Sequence, residues 1–141
     1  MLEQRLAEMR AELDAFDDEF TKYSFLVELS AYVPPDQPSL QRDEYLQRGC
    51  QSRVWLRCEE RDGCVWLSAT SDTLIIRGIL YILGELYNGV GLDEVAASQL
   101  DVLRELGIAE HFTDARQSGI GSISQAVVSF CRRAQAERAA G

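Results

Sequence analysis

Basic and imidazole side chains are scarce in this sequence: Lys22 is the one lysine, His111 the one histidine, and 14 Lys and Arg stand against 23 Asp and Glu. The net charge of -9 repels phosphate backbones and anionic bilayers, and no basic cluster exceeds the Arg132-Arg133 pair, so neither nucleic acid nor a membrane surface is an expected partner. No apolar run approaches the length of a bilayer span. The first twenty residues interleave charge with apolar residues and lack both an uninterrupted apolar core and an Arg-rich, acid-poor character, so no export or transit signal is expected and the cytoplasm is the expected compartment. Proline is confined to Pro34, Pro35 and Pro38, and no repeat, low-complexity tract or long linker divides the chain. With 141 residues, enough for a core without covalent staples, a single domain over residues 1–141 is expected.

What is present is well patterned. Leu2, Leu6, Met9, Leu13 and Phe16 alternate spacings of four and three, which stack side chains along one helix face. The same stretch holds seven carboxylates within residues 1–20 against Arg5 and Arg10, which reads as a solvated helix face. Asp17 or Asp18 can cap a second helix running to Tyr32 and ended by Pro34-Pro35, after which residues 36–45 read as connecting loop.

The clearest strand signal is Asp62-Gly63 between SRVWLRCEER and CVWLSATS. A two-residue Asp-Gly loop favours a type I′ hairpin because both central residues must take positive φ. That turn sets Arg61 opposite Cys64, Cys58 opposite Leu67, Leu56 opposite Ala69 and Val54 opposite Ser71, so one side of the ribbon is apolar and should be buried. The reverse side carries Trp55, Arg57, Glu59, Trp66, Ser68 and Thr70, a mixed surface.

Ser71 and Asp72 then offer a cap and an acidic first turn for a helix whose apolar face comprises Leu74, Ile75, Ile79, Ile82, Leu83 and Leu86, ending at Asn88-Gly89. Short helices at residues 92–97 and 100–106, the latter stopped by Gly107, and a last one from about Gly119 to Arg138 complete an α+β fold: a small antiparallel sheet with helices packed on one face.

Four cysteines in a chain expected to stay in a reducing compartment imply free thiols that are reactive, metal-binding or merely apolar. Metal spacing is poor, since no CxxC or HxxxH occurs and the hairpin register sends Cys58 and Cys64 to opposite faces. No metal site is expected. Cys58 reads as core filler, Cys64 as a hairpin-edge residue and Cys131 as part of the last helix's packed or half-exposed face.

Cys50 differs. It precedes the ribbon beside Gly49, which permits unusual backbone angles, and Arg48 and Arg53 bracket it with positive charge that favours thiolate. On these residues alone it is either a reactive loop thiol or an ordinary half-buried cysteine.

The block GCQSRVWL, residues 49–56, resembles the signature of the SufE family of sulfur-acceptor proteins. SDTLIIRGIL, residues 71–80, resembles that family's SDA-type helix start, and LGIAEHFTDARQSGI, residues 106–120, its LGL…HL…R…GL segment. The chain departs from the pattern at Arg53, Thr73 and Ala115, which bears on docking and leaves the cysteine untouched.

The resemblance implies an α+β fold similar to the IscU-type iron-sulfur scaffolds. It makes Cys50 the nucleophile that takes sulfur as a persulfide from a cysteine desulfurase of the SufS or CsdA kind, which holds pyridoxal phosphate, and passes it to a SufBCD-like iron-sulfur scaffold. Gly49, Gln51 and Ser52 would frame the cysteine, and Asp72 and Arg116 would support its loop; the plainer alternatives are that Asp72 caps a helix and Arg116 ties a loop.

No cofactor or metal is implied on this chain, and whether it pairs as a homodimer is left open. A labile persulfide needs shielding, so Cys50 is expected in a shallow apolar pocket at rest, swinging outward on docking. Two rival functions remain: an adaptor that stimulates a desulfurase without accepting sulfur, and a cysteine hydrolase using Cys50 with His111 as base. Gly119-Ile120-Gly121 lacks the strand and third glycine of a phosphate loop and reads as a helix start.

Overall fold

The structure, a computed structural model, describes residues 1–48, 52–108 and 114–140, with side chains in the last stretch described from residue 121 onward. Helices α1 (Leu2–Asp14) and α2 (Glu19–Leu29) lead into a 3-10 turn at Ser30–Tyr32 and another at Asp43–Tyr45. Strands β1 (Val54–Arg61) and β2 (Cys64–Ser71) follow, then α3 (Leu74–Tyr87), α4 (Leu92–Ala97), α5 (Val102–Glu105) and α6 (Asp114–Ala140). This is the expected α+β class.

The hairpin turns on Asp62 at φ 54° and Gly63 at φ 77°, both in the left-handed region that the type I′ turn requires. Its ladder runs from Val54↔Ser71 to Arg61↔Cys64, the register expected from the turn. Leu46 bridges Trp55 along the outer edge of β1, and Cys64 bridges Gly91 along that of β2. Both edges are thereby partly covered, which shortens the free edges that a two-stranded ribbon would otherwise present.

α3 packs against α2, β2 and α1, while α6 packs against α4, α5 and β1. Ile79, Ile82, Leu83, Leu86 and Tyr87 of α3 meet Leu26, Val54, Val65, Leu103, Ile123 and Val127 in one apolar core. Each fully buried aliphatic side chain there contributes about 2 kcal/mol from lost water contact.

Several local expectations are corrected. The second helix stops at Leu29 and tightens into the 3-10 turn. Its cap is Asp18, one of the two residues expected there, whose carboxylate accepts the Thr21 N–H at 2.7 Å, which holds that carboxyl below its ordinary pKa. Leu74, expected on the apolar face of α3, is 52% exposed while the adjacent Ile75 and Ile76 are buried, because at helical spacing it lines up with the half-buried Tyr81 and the exposed Glu85 on the outer face of the helix. The ribbon's reverse side is less open than its composition suggests: Thr70 is fully buried, its hydroxyl donating to Pro34 O at 2.8 Å, and Arg57 stacks over Tyr45. The last helix begins at Asp114, five residues before the expected start.

Candidate functional site

Beyond its last rung the hairpin continues in the same register. Adding one residue places Arg53 opposite Asp72, and a second places Ser52 opposite Thr73. The bonds follow that order. Arg53 donates its N–H to Asp72 Oδ1 at 3.1 Å, and its carbonyl accepts from the Ser71 hydroxyl at 2.6 Å and the Asp72 N–H at 3.3 Å. Thr73 Oγ1 lies 2.8 Å from Ser52 Oγ and 3.0 Å from Asp72 Oδ1. A carboxylate only accepts, so Thr73 donates to Asp72 and accepts from Ser52.

The corner between β2 and α3 therefore grips the chain that leads back to Cys50. Asp72 does not cap α3; the cap position is Thr73, without a side-chain cap bond, and the Asp72 carboxylate faces across the ribbon. Of the residues singled out in the sequence, the structure brings Ser52 and Asp72 together. Gly49, Cys50, Gln51 and His111 lie outside the described residues, as does the expected pocket for Cys50. Arg116 lies on the first turn of α6 by its backbone, and its side chain is outside the description. Ser71 and Thr73 are functional candidates that composition alone did not reveal; the hairpin register, carried two residues further, is the signal that finds them.

Two cysteines meet where β1 and α6 pack, the half-buried Cys58 and the buried Cys131, and desolvation sets their chemistry. The Cys58 thiol is pushed up to about 12, first by desolvation and then by the neighbouring Cys131. Cys131, at 0% exposure, is pushed up to about 11 by desolvation. Both are protonated at neutral pH and weak nucleophiles. Among the described residues no three His, Cys, Asp or Glu side chains converge as a metal ion needs. No helix there is long and apolar enough to cross a membrane.

Residues 7–131 match the family model described as SufE, Fe-S metabolism associated domain. The chain belongs to the SufE family. The match spans the GCQSRVW block, the corner at residues 71–73 and the segment containing Arg116, so these positions stand within the family domain. A solved structure, the solution structure of a hypothetical protein from Thermus thermophilus, is similar over 96% of each chain with a TM-score of 0.71 at 20% identity. At that identity the likeness concerns the fold, which this SufE-family chain shares.

Proposed function

We propose that this protein is a cytoplasmic sulfur carrier in iron-sulfur cluster metabolism, with Cys50 as the atom-accepting residue. Membership of the SufE family, whose domain is associated with Fe-S metabolism, is the observation that carries this reading. Two features support it. Cys58 and Cys131 are desolvated and held as thiols, which leaves the loop cysteine flanked by Arg48 and Arg53 as a better nucleophile than either. The chain emerging from that loop is fixed by Asp72, Ser71 and Thr73, which limits the positions a thiol three residues away can reach.

In the transfer step the Cys50 thiolate attacks the outer sulfur of a persulfide on the donor enzyme's cysteine. One S–S bond forms at Cys50 as the donor S–S bond breaks, the donor cysteine leaves as thiolate, and the outer sulfur keeps its proton, so no external oxidant or reductant enters. The partner is a pyridoxal phosphate-dependent cysteine desulfurase. Release of sulfur from free cysteine needs a Schiff-base lysine, and the sole lysine here, Lys22, sits half-buried in α2 beside Gly107. The recipient would be an iron-sulfur scaffold.

Incubation with a cysteine desulfurase and cysteine should add one sulfur, about 32 Da, to the Cys50 peptide. Cys50→Ser should carry no added sulfur and lose stimulation of the desulfurase; full stimulation by this variant would instead assign an adaptor role.

A further inference from the structure

Arg77 stands one turn into α3, and its side chain leans back toward the helix N-terminus, as helical side chains do. Its Nη1 donates to Ser71 O at 2.9 Å. Its Nε is enclosed by protein without an acceptor, and among the described residues the guanidinium forms no ion pair. A half-buried cation held by one neutral carbonyl, with an enclosed N–H left over, is a poor stabilising device, because its desolvation is little compensated. What it does accomplish is positional. Ser71 is the hub of the corner described above: its carbonyl takes the Arg77 bond, and its hydroxyl donates to Arg53 O at 2.6 Å. From Arg53 the chain runs three residues back to Cys50.

We infer that Arg77 is a positioning residue for sulfur transfer, one that holds the Ser71–Thr73 corner and through it anchors Ser52 and Arg53, from which the chain leads to Cys50. This deepens the carrier reading and rests on it. The arrangement separates two properties that normally fall together. Arg77→Met keeps the apolar stem and removes both the bond to Ser71 and the desolvated charge, so global stability should hold or rise while the corner loosens.

Three measurements on the full-length protein test the inference. In Arg77→Met the denaturant midpoint should match or exceed that of the wild type. Amide hydrogen exchange at Arg53, whose N–H is given to Asp72, should quicken about tenfold while Val54 and Leu56 keep their protection. Persulfide formation at Cys50 from a sulfur-loaded desulfurase should slow about tenfold, the scale of misplacing a reacting group. Arg77→Lys, which can still donate to Ser71 O, should restore both the exchange protection and the rate. A midpoint that falls, a variant that fails to fold, or unchanged exchange at Arg53 overturns the positioning role. If wild-type Cys50 takes up no sulfur the carrier reading fails by itself, and the exchange arm still decides whether Arg77 holds the corner.

Discussion

At the scale of single residues, identical side chains acquire different chemistry from their surroundings. Cys58 and Cys131 sit between β1 and α6, where burial pushes their thiols to about 12 and about 11, far above physiological pH. Iodoacetamide at neutral pH should therefore reach Cys58 and Cys131 only after denaturant opens the core, as read by peptide mass mapping. Labelling of either thiol in the native protein at the rate seen in denaturant would contradict this. Asp72 carries a similar lesson. Its sequence position before a helix suits a cap, yet the ribbon register puts its carboxylate opposite the Arg53 N–H, and it accepts that bond across the ribbon. The register was present in the Asp62-Gly63 turn, so this contact was legible once the ladder was followed past its last rung. The surroundings of Cys50 were not, because no local pattern in GCQSRVW specifies what packs against a loop.

At the scale of elements, close backbone approach sets the layout. A side chain at Gly78 would collide with the Leu26 backbone carbonyl where α3 crosses α2, so glycine is required there for contact rather than for an unusual φ. Gly78→Ala should destabilise the protein by ~3 kcal/mol, measured as a lowered denaturant midpoint with unchanged slope, since backbone can yield only by separating the two helices. Nothing in the apolar periodicity of α3 announces this glycine. Periodicity did place the buried stripe of Ile75, Ile79, Ile82, Leu83 and Leu86, and it erred at Leu74, which shares the outer helix face of Tyr81 and Glu85. The early start of α6 at Asp114 has the same character, because the polar run TDARQSG carries no apolar stripe that marks a helix.

At the scale of the whole molecule, contacts distant in sequence tie the acidic first helix to the rest. Glu94 of α4 accepts the Leu2 N–H at 2.6 Å, and Arg5 donates to the carbonyl oxygens of Glu85, Leu86 and Asn88, satisfying the exposed C-terminal end of α3. The bond from Leu2 holds the Glu94 carboxyl below its ordinary value of 4.5, with a smaller contribution from the Met1 ammonium. A carboxyl whose folded pKa is depressed contributes stability that is complete above the ordinary value and disappears as pH falls through the lowered one. The unfolding midpoint of the wild type should therefore exceed that of Glu94→Gln at neutral pH, and the two curves should converge in acid. A difference that persists undiminished at low pH would mean that Glu94 acts by packing alone. The amino-acid order by itself determined the α+β class, the hairpin register and the buried helix faces, because these follow from turn chemistry and from periods of two and 3.6 residues, which are properties of short segments. Only the tertiary structure decided that Arg77 grips Ser71, that Gly78 admits a neighbouring backbone and that the Cys58 and Cys131 thiols are desolvated, because each depends on which distant surface arrives opposite, and no local spacing encodes that.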